Sequence, residues 1–287
     1  ATRRGECGTV SLNRALQAYA VGSVFKPVLA AAALEAGLAP EYDCNGAVVV
    51  DGQIFRCAGG VPHGEVDLSA ALAKSCNGYF IRLGQQLGAQ ALLQQAQALG
   101  FGRSIGLAEG LTAQSGALPG AEELAQSGQL ANFSFGQGSL LATPLQVAAM
   151  MNTIANGGVY RAPCLLDCAL DETSGEELSA FARPQAERVL TEQTAAALRT
   201  MLEQTVAEGT AQDASGLPGG AAGKTGTAQT GQFTAEGKER KNLWFAGFYP
   251  AEDPQYTIVV LQDGQTQAAV SSAAVFAQLC TALHWLG

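Results

Sequence analysis

Between Gly22 and Gly37 lies the stretch that constrains this chain most: Ser23-Val24-Phe25-Lys26-Pro27-Val28-Leu29, four alanines, then Leu34-Glu35-Ala36. The run is Ala-rich, its apolar residues recur at helical spacing, and a glycine stands at each end as a start or stop signal. Pro27 falls near the first turn, where a missing N–H costs least. The stretch reads as a buried helix, and a buried helix needs a body around it. With 287 residues, 47% hydrophobic and 14% charged, the chain can supply one. The polar residues of this helix, Ser23 and Lys26, sit together at its entrance.

The remaining elements follow from local pattern. Residues 45 to 56 read as a small hairpin or a strand around Val48, Val49 and Val50. Helical pattern runs from Asp67, a candidate cap, to Lys74, and again from Gly78 to Leu99. Residues 100 to 135 read as loops with short helices. Thr143 caps a helix with Pro144 in its first position, ending at Ala155 before Asn156-Gly157-Gly158. Residues 159 to 190 are loop-like, with weak strand signals near Tyr160 and Val189. Thr191 to Glu208 is a helix closed by Gly209. Ala221–Gln229, Leu243–Tyr249 and Tyr256–Gln262 read as strands, the last two joined through Asp253-Pro254. The tail from Ala268 to Trp285 is an apolar helix. Strands late in the chain with helices before and after them suggest an antiparallel sheet covered by helices.

A net charge of -9 without a basic stripe argues against a nucleic-acid partner. No apolar run is long enough to span a bilayer. There are seven cysteines and two histidines, His63 and His284, with no Cys-x-x-Cys pair, so no zinc site and no metal is expected. A disulfide between Cys44 and Cys57 is open, but small buried thiols are the favoured reading.

Three short motifs carry chemistry. Ser23-Val24-Phe25-Lys26 puts a hydroxyl at a helix start and a lysine one turn on, on the same face. That is a workable nucleophile and base, provided Lys26 can lose its proton. Ser75-Cys76-Asn77 lies between two helices. Its hydroxyl and amide can point into a cleft, although Ser and Asn also favour helix caps. Lys224-Thr225-Gly226-Thr227 lies on a strand. Thr225 and Thr227 share a face, and Gly226 leaves room for a ligand backbone. Each motif alone is weak. His63 reads as a loop residue near the cleft, Trp244 as strand packing, and Glu122 and Glu123 as solvated.

Together, and in this order, the motifs resemble those of penicillin-interacting serine enzymes. Further stretches are similar to the transpeptidase domain of class B (monofunctional) penicillin-binding proteins. They are residues 13 to 27, Lys74 to Phe80, Phe135-Gly136-Gln137-Gly138, Thr143-Pro144-Leu145-Gln146, Ala222 to Gln229, and Trp244 to Phe248. The resemblance implies an α/β (α+β) penicillin-binding/serine β-lactamase-like fold across residues 1–287 as a single domain. It would have a helical lobe over roughly 65–160 and a sheet lobe from the remainder. In that family two strands precede the serine helix. Residues 1 to 22 do not read as two strands, so either the chain starts inside the domain and the sheet is incomplete, or those strands are replaced.

The implied reaction is D,D-transpeptidation of peptidoglycan stem peptides, with β-lactams as covalent inhibitors and no cofactor. Ser23 would be acylated, Lys26 would take its proton, Ser75 would relay it, and Asn77 would hold the substrate backbone. The substrate carboxylate would meet Lys224, Thr225 and Thr227. The resemblance also implies action at the extracytoplasmic face of the bacterial cytoplasmic membrane, with cell-wall synthesis partners, and with anchor and pedestal domain outside this chain. A serine β-lactamase, a D,D-carboxypeptidase and a β-lactam sensor share the motifs. No Glu followed by Leu-Asn lies between the second and third motifs to activate a deacylating water.

Overall fold

The helix at the entrance of the chain is enclosed, as its composition requires. In a computed structural model, which describes residues 13–171 and 173–286, Gly22–Phe25 form a tight 3-10 turn that runs into the α-helix Lys26–Glu35. Val28 to Ala31 and Ala33 are fully buried, and so is Lys26. This serine helix packs between the long helix Asn77–Ala98 and the helix Glu192–Ala207.

The sheet has three antiparallel strands in the order Ala222–Phe233, Glu239–Tyr249, Tyr256–Gln265. Lys224 pairs with Ala246, and Phe245 with Val260. One face is covered by the C-terminal helix Ser272–Leu286, where Phe245 and Phe276 stack with centroids 4.5 Å apart. Burying one such ring is worth about 1.5–3 kcal/mol. The helix Pro144–Ala155 packs on the last two strands. Its capping box is formed by Thr143 and Gln146. The buried Gln146 amide also donates to the carbonyls of Arg103 (2.9 Å) and Ser115 (2.8 Å), tying the loops after residue 100 to this helix.

Most of the expected elements are present: the hairpin Ala47–Val50 with Gln53–Arg56, the helix Leu68–Ala73 capped by Asp67, and the five longer helices already described. Two small hairpins stand where loops were expected, Ile105–Ala108 with Leu111–Ala113, and Cys168–Leu170 with Glu177–Ala180. Of the entry segment, residues 1–12, including Cys7, lie outside the described residues. Residues 13–22 contain one two-residue strand, Tyr19–Ala20, and it pairs with Leu141–Ala142 rather than with the main sheet. The main sheet has three strands among the described residues.

Candidate active site

Ser23 stands where the serine helix meets the edge strand, and glycines permit that meeting. Gly22 has φ +62°, and a Cβ there would come within 2.7 Å of the Thr227 carbonyl oxygen. Its N–H donates to the Gly136 carbonyl at 2.8 Å. A Cβ on Gly136 would in turn collide with the Gly22 carbonyl. The Phe135–Gly138 stretch thus serves as a seat for the serine turn. Gly226 has a role the sequence did not suggest. A Cβ there would lie 2.9 Å from Val24 Cγ1 and 3.0 Å from the Val24 amide nitrogen. The space is taken by the serine turn, so Gly226 serves close packing of helix on strand and not the approach of a ligand backbone.

Lys26 is fully buried, and its ammonium group reaches across to the second motif. Nζ donates to the Ser75 carbonyl (2.6 Å), to Ser75 Oγ (3.1 Å) and to Asn77 Oδ1 (2.7 Å). Those partners occupy all three of its donors. Ser23 Oγ has no hydrogen bond among the described residues, so its hydroxyl is free to turn toward a ligand. Burial pushes the Lys26 amine down from the ordinary lysine range to about 7, while the thiols of Cys76 and Cys57 pull the other way. No carboxylate pairs with Lys26 among the described residues.

The second motif is a helix stop followed at once by a helix start. Ser75 N–H donates to the Leu72 carbonyl and Cys76 N–H to the Ala71 carbonyl, the two bonds of a Schellman closure. The left-handed residue of such a closure is usually glycine; here it is Ser75, at φ +56°. A non-glycine residue in this region costs on the order of 1 kcal/mol, and such strain gathers at working sites. The cap of the next helix is Cys76, whose Sγ accepts from the Tyr79 amide, and not Ser75 or Asn77. Asn77 Nδ2 donates to the Arg56 carbonyl at 2.9 Å, which leaves one N–H of the amide for a ligand.

In the third motif the strand alternates as expected. Lys224, Gly226 and Ala228 are buried, and Thr225 and Thr227 share the more open face. Lys224 Nζ donates to the Thr225 carbonyl at 3.2 Å, and Thr225 Oγ1 lies 2.8 Å from Thr210 Oγ1. Thr210 was missed because it stands alone after a helix end, with no local pattern. Lys224 is pushed well below the lysine range, first by burial and then by the charge of Lys26. Two buried lysines without a counter-ion among the described residues favour an incoming anion. Among the described residues the strand pairs only with Glu239–Tyr249, which leaves its other edge without a partner strand there, the arrangement an extended peptide can add to.

The remaining candidates fall as read from the sequence. Trp244 is buried strand packing and donates Nε1–H to the Ala20 carbonyl. Glu122 is exposed, and Glu123 is partly exposed and accepts from Ser139. Cys44, Cys57 and Cys76 are buried free thiols, but they are gathered together with His63 rather than dispersed.

A lysine held near neutrality one turn from a serine hydroxyl is the equipment of a Ser–Lys acyl-transfer site, in which no histidine takes part. The chain belongs to the penicillin binding protein transpeptidase domain family, whose model matches residues 4–281. It is 32% identical to Stage V sporulation protein D of Bacillus subtilis, over 85% of this chain and 38% of that protein. It is also 32% identical to the peptidoglycan D,D-transpeptidase PbpA of Mycolicibacterium smegmatis, over 93% of this chain and 55% of that protein. Thus the chain spans about half the length, or less, of these curated relatives. Among solved structures, the D,D-transpeptidase domain of a peptidoglycan glycosyltransferase from Eggerthella lenta superposes with a TM-score of 0.83. It is 29% identical and covers 96% of this chain and 68% of that one. The penicillin G acyl-enzyme complex of penicillin-binding protein A from M. tuberculosis gives 0.81 at 28% identity, over 95% of this chain and 63% of that one.

Proposed function

We propose that this chain is the acyl-transfer domain of a peptidoglycan D,D-transpeptidase, acting outside the cytoplasmic membrane and acylated by β-lactams at Ser23. The observation that carries the reading is the buried Lys26 amine, near neutrality and hydrogen-bonded to Ser75 and Asn77.

A stem peptide ending in D-Ala-D-Ala lies along the open edge of Ala222–Phe233. Its terminal carboxylate meets Thr225, Thr227 and Lys224, and the arriving anion favours protonation of Lys224. Neutral Lys26 takes the Ser23 Oγ proton as the oxygen attacks the penultimate D-Ala carbonyl. The backbone N–H groups of Ser23 and Thr227 hold the oxyanion, each such donor being worth about 3 kcal/mol. The peptide C–N bond then breaks. Its nitrogen takes a proton from Lys26 by way of Ser75 Oγ, and terminal D-Ala leaves. An acceptor amine attacks the acyl-enzyme, gives up its proton along the same route, and restores Ser23.

Product analysis tests the proposal. The protein is incubated with a stem pentapeptide, with and without an acceptor amine. Cross-linked product and one released D-Ala per link support transpeptidation. Release of D-Ala to water alone, or rapid multiple turnover of a chromogenic cephalosporin, overturns it in favour of a carboxypeptidase or a β-lactamase.

A further inference from the structure

Four side chains from four separate segments converge beside the second motif. Cys44 ends the strand Tyr42–Cys44, Cys57 follows the strand Gln53–Arg56, His63 lies in the loop before Gly64–Val66, and Cys76 caps the helix Asn77–Ala98. One ligand atom from each lies within 4.8 Å of all the others. Cys44 and Cys57 sulfurs are 3.6 Å apart, Cys57 and Cys76 sulfurs 3.9 Å, and Cys44 sulfur is 3.5 Å from His63 Nδ1.

Those distances discriminate. A disulfide requires about 2.05 Å between sulfurs. A tetrahedral zinc ion with Zn–S near 2.3 Å and Zn–N near 2.0–2.1 Å sets sulfur–sulfur edges of about 3.8 Å and sulfur–nitrogen edges of about 3.6 Å. Small thiols used only as packing would be dispersed, as Cys280 is in the cluster under the C-terminal helix. These three instead turn their sulfurs toward one another and toward a ring nitrogen.

The backbone is built for the same purpose. His63 N–H donates to the Cys44 carbonyl and Cys57 N–H to the Gly46 carbonyl, fixing three of the segments to each other. The start of the helix Asn77–Ala98 supplies an N–H donor to sulfur, from Tyr79 to Cys76 at 3.4 Å. Such N–H donors stabilise thiolates, the form that binds metal.

We propose that Cys44, Cys57, His63 and Cys76 bind one zinc ion, and that this ion positions the Ser75-Cys76-Asn77 turn. A Cys3His set is a closed structural site, with no position left for water or substrate. Its thiolate content suits zinc over magnesium, calcium or manganese. The expectation of no metal rested on the missing Cys-x-x-Cys pair and the presence of only two histidines, whereas the ligands are spread along the chain from 44 to 76 and meet only in the fold. Cys76 stands between the two residues that hold Lys26, so fixing its sulfur fixes Ser75 Oγ and Asn77 Oδ1 as well. Ser75, strained at φ +56°, gains a rigid neighbour. The zinc site does not depend on the acyl-transfer reading; the positioning role does.

The test titrates zinc ion alone into the full 287-residue chain, stripped of metal and kept reduced. Expected are one zinc per chain by elemental mass spectrometry and a higher Tm. Cobalt in place of zinc should give the intense visible absorption of a tetrahedral thiolate site. The Cys44→Ser/Cys57→Ser pair should lose the zinc and Cys280→Ser should keep it. Stripping the wild-type chain should slow labelling by a fluorescent penicillin at least tenfold, on the scale expected when supporting ligands are lost, and zinc should restore it. The metal site is overturned by absence of stoichiometric zinc in the reduced wild-type chain, by undiminished zinc in the double variant, or by a Cys44–Cys57 disulfide in the natively purified protein. Labelling that is indifferent to zinc overturns the positioning role. Zinc bound by a chain that no penicillin labels leaves the metal site standing and counts against the acyl-transfer reading instead.

Discussion

Replacing Gly226 with alanine tests whether the contact between serine turn and edge strand sets the reaction geometry. The added methyl would sit 2.9 Å from Val24 Cγ1, 3.0 Å from Val24 N and 3.1 Å from the Val21 carbonyl oxygen. Two of those atoms are backbone and cannot rotate away. Overpacking of this kind costs about 1–3 kcal/mol. Alanine returns about 0.5–1 kcal/mol through the lower entropy of the unfolded chain. A net loss of about 1–2 kcal/mol remains, or a few degrees in Tm for a chain of this size. Relief comes by moving Val24, and with it Ser23, away from the strand by several tenths of an ångström. Misplacement of reacting groups by about 1 Å can cost on the order of 100-fold in rate, so a fall of roughly tenfold or more in acylation by fluorescent penicillin is expected. Gly106→Ala is the control, because a methyl there meets nothing within 4 Å. It should leave the rate unchanged and raise stability by the same increment of about 0.5–1 kcal/mol. A Gly226→Ala protein that acylates at the wild-type rate would refute the argument.

Acylation should rise as pH climbs through about 7, because Lys26 accepts a proton only when neutral; a pH profile of penicillin labelling flat from 6 to 8 would contradict this. The same depressed amine binds fewer protons folded than unfolded, so its contribution to stability should grow as pH rises from about 7 toward the ordinary lysine value of 10.5, read by denaturant melts. In Ser75→Gly the relief of the left-handed backbone, about 1 kcal/mol, is offset by the lost bond to buried Lys26 and the freer unfolded chain, so Tm should not rise, while acylation should slow through loss of the relay hydroxyl; a wild-type labelling rate would contradict the relay. Gln146→Ala removes the buried amide that bonds the Gly100, Arg103 and Ser115 carbonyls and should cost about 1–3 kcal/mol, read as a lower denaturation midpoint with Ser23 labelling retained under native conditions.

Much of this was legible in the sequence, because the features concerned are local. The buried serine helix, the Asp67 and Thr143 caps and the alternation of Lys224 to Thr227 are each set within a few residues. What could not be read depends on neighbours far along the chain. Gly226 looked like room for a ligand because Val24 approaches it only in the fold. Ser75 and Asn77 both looked like caps, whereas the Cys76 sulfur takes that role. The Cys44–Cys76 cluster has no spacing motif, since its members sit on separate segments. The hairpins at Ile105–Ala113 and Cys168–Ala180 have strands of three or four residues, too short to show a period of two.

The central claim is that Ser23 is the acylated nucleophile. Incubation with penicillin, digestion and mass spectrometry test it most directly. The account predicts one stable penicilloyl adduct per chain, on the peptide containing Ser23, absent from Ser23→Ala while that variant keeps the wild-type Tm. An adduct on any other residue, or undiminished labelling of Ser23→Ala, would contradict it.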